Sequence, residues 1–113
     1  MNVTVRGTSI TGLNVDAETR CVHYQDARDI IAIKFKCCAE WFPCYECHEA
    51  LAGHAAQVWS KEECDVRAVL CGACGYQLTV SEYFGCGSVC PRCHRQFNPG
   101  CARHYDLYFE VTP

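Results

Sequence analysis

Apolar residues in this chain come in short, interrupted runs. Val3, Val5, Ile10, Leu13 and Val15 are broken by Gly7 and Gly12, which predicts one or two short extended segments within residues 1–20. The densest aliphatic run is Ile30-Ile-Ala-Ile33, inside the stretch 29–36. Its β-branched side chains and late alternation predict a strand. Residues 66–70 predict a second strand and residues 77–80 a third. Between them, residues 44–53 predict a short helix that starts after Pro43 and stops at Gly53. Residues 55–64 read as a connector carrying Trp59, and residues 81–84 as no more than a helical turn. Residues 98–110 predict a turn and then an aromatic helical tail. No apolar run approaches the roughly 20 residues of a membrane-spanning helix.

These pieces add up to a small core, marginal without a staple. Composition supplies one. Twelve cysteines and five histidines fall in 113 residues, and most stand at metal-ligand spacings. No secretory signal is visible at the N-terminus. The default compartment is therefore reducing, where clustered cysteines bind metal rather than pair. Interleaved histidines agree, because histidine ligates zinc but takes no part in a disulfide. The formal net charge is −3. Thiolate ligation of three zinc ions would carry it to about −6. The ten Lys and Arg form no basic stripe, so nucleic acid is not an expected partner.

The sharpest pattern is Cys71-x2-Cys74-x15-Cys90-x2-Cys93, the four-cysteine ribbon spacing. Glycine after the first pair, Gly75, supplies the positive φ that such a knuckle often requires. The N-terminal half holds eight more candidates: Cys21, His23, Cys37, Cys38, Cys44, Cys47, His48 and His54. Eight ligands fill two sites, but spacing leaves their pairing ambiguous. The favoured arrangement is interleaved, with Cys21, His23, Cys44 and Cys47 on one ion and Cys37, Cys38, His48 and His54 on the other. On a helix Cys44, Cys47 and His48 would share one face. Cys47 and His48 must then diverge by about 100° around the axis to reach different ions. Cys101 and His104 exceed the count. They are candidate additional ligands that substitute for one of the twelve, close a further site with Cys64 or Cys86, or stay unligated. His94 reads as a solvated surface residue.

The ordered combination Cys21-x-His23-Tyr24, Cys37-Cys38, Pro43-Cys44-x-x-Cys47-His48, a later histidine and two Cys-x-x-Cys knuckles resembles the CHY-type zinc finger family. The resemblance spans roughly residues 21–110. It implies about three zinc ions in one small domain. The ending Phe97-Asn-Pro-Gly-Cys101-x-x-His104, with Leu107-Tyr-Phe109, resembles the short stand-alone branch, which includes a mitochondrial helper of small Tim proteins. Another branch couples this finger to a RING in ubiquitin ligases. No RING motif follows here, so ligase activity is not carried over.

The expected fold is a small metal-stabilised α+β domain, with zinc-ribbon-like knuckles, short strands and short helices. Residues 1–20 are expected to form an extended segment packed on a finger domain of residues 21–113. The leading functional expectation is a zinc-binding interaction module with an unidentified protein partner, no nucleic acid and no membrane. Trp41, Phe42, Trp59, Tyr83 and Phe84 are its candidate contacts. The alternative is zinc handling or redox assistance akin to the small-Tim helper. Catalysis is not expected. Glu46, Glu49 and Glu82 lie near ligands, but no His-Glu-x-x-His pattern occurs and every ligand set is able to close at four. The expected compartment is the cytoplasm, with the mitochondrial intermembrane space as the eukaryotic alternative.

Overall fold

A computed structural model describes residues 2–21, 27–63 and 65–97. The chain opens with a hairpin of β1 (Asn2–Val5) and β2 (Thr8–Thr11). Its two-residue turn is Arg6-Gly7, with φ of 50° and 87°. Positive φ at both positions matches the twist of the flanking strands. The central strands are β3 (Ile31–Lys34) and β5 (Arg67–Cys71), flanked by β4 (Trp41–Phe42) and β6 (Gln77–Thr79). All six join one sheet in the order β1-β2-β4-β3-β5-β6. The only parallel contact in that order is β2 with β4, through Ile10 and Trp41.

β3 and β5 run antiparallel, with Ala32 opposite Leu70 and Ile31 opposite Cys71. Successive strand residues point to opposite faces, and here both faces are covered. Ile31, Ile33, Val69 and Cys71 enter the larger core with Phe35, Phe42, Leu78 and Phe97. Ala32 and Leu70 enter a second core with Val5 and Ile10 of the hairpin. The sheet curls far enough for its ends to approach: Gln77 Nε2 lies 3.5 Å from Thr8 Oγ1, and Gly75 abuts Arg6. The N-terminal hairpin thus covers the face that β3 and β5 turn away from the main core.

Among the described residues, two α-helices punctuate the sheet. α1 (Tyr45–Leu51) is capped by Cys44, whose sulfur accepts from the Cys47 N–H at 3.3 Å. Ala52 N–H closes the far end on the His48 carbonyl, and Gly53 follows at φ +73°. Seven residues are too few for a stable helix in water; buried Cys47 and His48 anchor this one. α2 (Val80–Gly85) exceeds the helical turn expected from the sequence. Its capping box explains why: Glu82 N–H donates to Thr79 Oγ1 at 3.0 Å, and Thr79 N–H donates to Glu82 Oε1 at 2.9 Å. The strand expected over 77–80 consequently ends one residue early.

Three of the five aromatic contact candidates belong to the core instead. Phe42, Trp59 and Tyr83 are buried, and Trp59 Nε1 donates to the Lys34 carbonyl at 2.7 Å. Phe84 is exposed, and Trp41 is half-buried against the hairpin core. The aromatic tail expected over 98–110 lies outside the described residues.

Candidate metal centres

Three turns of the fold share one backbone pattern. In Cys71–Tyr76, Cys71 N–H donates to the Tyr76 carbonyl, and Gly75 N–H donates back to the Cys71 carbonyl. In Cys90–Arg95, Cys90 N–H donates to Arg95 O and His94 N–H to Cys90 O. Phe35–Glu40 repeats the pattern, with Phe35 N–H on Glu40 O and Ala39 N–H on Phe35 O. The fifth residue of each has positive φ: 85° at Gly75, 65° at His94 and 57° at Ala39. Each turn also closes a strand pair one residue outside it, Leu70 with Gln77, Val89 with Gln96, and Lys34 with Trp41. The third turn is therefore a knuckle too. Its fourth residue, Cys38, matches Cys74 and Cys93, while Phe35 stands where the others carry their first cysteine. No Cys-x-x-Cys spacing marked it in the sequence.

Cysteine and histidine donors gather in three groups among the described residues. Cys71, Cys74, Cys90 and Cys93 converge, with 3.7 Å between the sulfurs of Cys71 and Cys93 and 3.7 Å between those of Cys74 and Cys90. Cys37, Cys38, His48 and His54 form the second group. Cys37 Sγ lies 3.2 Å from Nε2 of both histidines and 3.9 Å from Cys38 Sγ. Cys21, Cys44 and Cys47 form the third, all buried, with Cys21 and Cys44 sulfurs 3.6 Å apart. Within each group every donor atom lies within 4.8 Å of the others.

These separations suit a tetrahedral ion. Zinc–sulfur bonds of about 2.3 Å set ligand sulfurs roughly 3.8 Å apart. A disulfide would bring them to about 2.05 Å. The thiol chemistry agrees. Cys44 and Cys47 are pushed above the ordinary thiol range, chiefly by the Cys21 sulfur beside them. Cys38, Cys71 and Cys74 are pushed up chiefly by burial. Cys90 moves down: burial opposes ionisation there, but the N–H groups of Cys93 and Arg92 aimed at its sulfur outweigh it. Crowded, desolvated thiols hold their protons unless a cation sits among them, and a divalent ion reverses that preference.

α1 parts two of the groups. Cys47 faces Cys21 and Cys44, while the next residue, His48, faces Cys37. Cys44 departs from the shared-face expectation, because it is the extended N-cap with φ −159° rather than a helical residue. His23, Cys64, Cys101 and His104 lie outside the described residues. Among the described residues, Cys86 and His94 join none of the three groups. Cys86 Sγ donates to the Tyr83 carbonyl at 3.1 Å, and exposed His94 serves the backbone of its knuckle.

The segment preceding Cys21 braces the ribbon. Asp16 Oδ1 accepts from the N–H groups of Glu18 and Arg20. Glu18 receives Arg20 Nη2 at 2.9 Å and Arg95 Nη1 at 3.2 Å, which ties this loop to the second ribbon knuckle. Thr19 is buried at φ 69°, and Gly72 passes so close to Glu18 and Thr19 that a Cβ there would strike them.

Comparison with known proteins gives this arrangement a family. The CHY zinc finger family matches residues 21–83, more than half of the chain. The chain belongs to the CHY zinc finger family. This CHY finger binds about three zinc ions, and three groups of cysteines and histidines able to hold a metal ion occur among its described residues. It is similar to Helper of Tim protein 13 of Saccharomyces cerevisiae, 40% identical over 109 residues and 94% of each chain. It is 42% identical to Helper of Tim protein 13 of Kluyveromyces lactis, over 88% of this chain and 87% of the relative. A Schizosaccharomyces pombe protein described as uncharacterized is 39% identical, over 91% and 90% of the two chains. No solved structure matches. No helix among the described residues is long and apolar enough to cross a membrane.

Proposed function

We propose that this CHY finger is a zinc-built interaction module that acts on a protein partner and is not an enzyme. The assigned ligands are Cys21, His23, Cys44 and Cys47 on one ion, Cys37, Cys38, His48 and His54 on a second, and Cys71, Cys74, Cys90 and Cys93 on a third. Each zinc ties distant segments together, as a structural ion does. The observation that carries the reading is the convergence of the donors: four in each of two groups and three buried sulfurs in the other, to which this reading adds His23 as the fourth ligand. With four protein ligands, none of these ions has a position for a substrate water. Cys101 and His104 are held as additional ligands only. Residues 21–113 form the working finger, with residues 1–20 packed on it.

Relatives named Helper of Tim protein 13 point to a small Tim-type protein as the partner. With such a partner, the mitochondrial intermembrane space is the proposed compartment in place of the cytoplasm. Titration calorimetry of the zinc-loaded chain with a reduced small Tim protein tests this. Saturable heat that vanishes on zinc removal supports the module; no heat with folded, loaded protein contradicts it.

A second reading, metal exchange with the partner, rests on one observation. His54 is exposed, whereas the described ligands of the other two groups are buried or half-buried. Any zinc that is handed on is therefore the one held by His48 and His54. Zinc appearing on the thiols of the small Tim protein after mixing would support exchange, and its retention on this chain would exclude it.

A further inference from the structure

Phe35, Cys71 and Cys90 hold the same place in three equivalent knuckles. At that place two chains of backbone offer sulfur, and the third offers a buried phenyl ring. The ring stacks on His48 with centroids 4.2 Å apart and planes 15° from parallel. Phe42 closes an adjacent side, its centroid 4.9 Å from His48 at an interplanar angle of 73°. Phe35 and Phe42 themselves meet edge to face at 5.5 Å. His48 is 0% exposed within these walls.

The two ring nitrogens of His48 then have different surroundings. Nε2 lies 3.2 Å from Cys37 Sγ, inside the donor group. Nδ1 is buried and has no hydrogen-bond partner among the described residues. Metal-bound histidines almost always donate from the second nitrogen to a carboxylate, a carbonyl or a water. That contact fixes the ring and raises its basicity as a ligand. Here the Phe35 ring lies against the face of the imidazole, and no acceptor meets Nδ1 among the described residues.

We propose that Phe35 is the positioning residue of the Cys37/Cys38/His48/His54 site, aiming His48 Nε2 by ring stacking in place of an acceptor at Nδ1, and that this makes the site the weakest of the three for zinc. The proposal rests on the reading that these four residues bind zinc. Stacking orients an imidazole as an acceptor does, but it adds no electron density to the ligating nitrogen. The loss of an outer-shell acceptor typically lowers metal affinity 10–100-fold. The knuckle also moves its other sulfur two residues on, from the place of Phe35 to Cys37, which lies within reach of both histidines.

Zinc competition with a graded chelator series and long-range proton–nitrogen NMR of the His48 ring test this on the full zinc-loaded chain. In the wild type we expect a ligated Nε2, a protonated Nδ1, and loss of this zinc before the other two. Phe35→Leu should weaken this site about tenfold, shift the His48 ring signals and leave the other two affinities in place. Phe35→Tyr, which keeps a stacked ring, should retain the wild-type nitrogen shifts. Unchanged ring signals and affinity in Phe35→Leu would overturn the proposal, as would an equal loss at all three sites. If Phe35→Leu does not fold, the order of zinc loss in the wild type still decides: loss of this zinc last overturns it. An unligated Nε2 in the wild type overturns the ligand set itself, and the proposal with it.

Discussion

His94 holds in the second ribbon knuckle the place that Gly75 holds in the first. Both follow the fourth residue of the turn, both have positive φ, and both return their N–H to the carbonyl of the leading cysteine. Their surroundings differ. A Cβ on Gly75 would come within 2.7 Å of Arg6 Cβ, so glycine is needed there for space as well as for φ. His94 is exposed and has room for its side chain.

Substitution at the two positions should therefore diverge. Left-handed backbone costs a non-glycine residue about 1–2 kcal/mol, and glycine returns about 0.5–1 kcal/mol of that in lost chain entropy. His94→Gly should be neutral or stabilising by up to about 1 kcal/mol. Gly75→Ala should destabilise by roughly 2 kcal/mol or more, because backbone strain and the Arg6 contact act together. Thermal melts of the zinc-loaded variants report both, and equal shifts would contradict the assigned roles.

Gly72→Ala probes how the N-terminal loop braces the ribbon. The new methyl group would meet the Glu18 carbonyl and Thr19 Oγ1. Overpacking of this kind costs about 1–3 kcal/mol. The lower melting temperature should come with faster amide exchange at residues 16–20. A variant as stable as the wild type would show that the loop does not bear on the knuckle.

Much of this was legible in the sequence, and the misses have physical causes. β3, β5, α1 and the ribbon knuckles follow from β-branched runs, a proline–glycine frame and Cys-x-x-Cys spacing. β4 is two residues long, too short to leave a periodic signal. It exists because the Phe35–Glu40 knuckle turns the chain back onto β3. That knuckle escaped notice because Phe35 replaces the marker cysteine and Ala39, not glycine, takes the positive φ. α2 did carry a signal, Thr79-x-x-Glu82, which marks a helix start better than the surrounding composition does. The grouping of Cys37, Cys38, His48 and His54 was the favoured one among the pairings that spacing permits, and the geometry brings these four donors together.

Selective substitution should separate the ligand groups. His54→Ala removes an exposed donor from a set whose remaining members are buried or half-buried. It should release one zinc and leave the far-ultraviolet spectrum close to that of the wild type. Cys90→Ser removes a fully buried sulfur that sits between two knuckles. It should release a different zinc and lower the melting temperature markedly. Loss of the same ion from both variants would contradict the grouping.

Zinc removal should unfold the chain. The larger core is built partly from the cysteines themselves, with Cys21, Cys44, Cys47, Cys71 and Cys90 packed among its aliphatic and aromatic residues. Without an ion, each buried group holds thiols crowded against one another, and metal-binding free energy is lost as folding free energy. Circular dichroism before and after a strong chelator, with metal loss verified, should show collapse of the secondary-structure signal. An unchanged spectrum and melting curve would mean that the apolar core suffices alone.

The central claim is that three groups of cysteine and histidine ligands hold three zinc ions in one small finger. Native mass spectrometry of protein purified without added metal tests it most directly. The predicted mass is that of the chain with three zinc ions, each replacing the protons of its thiolate ligands. Fewer than two zinc ions on folded protein, or iron in their place, would contradict it.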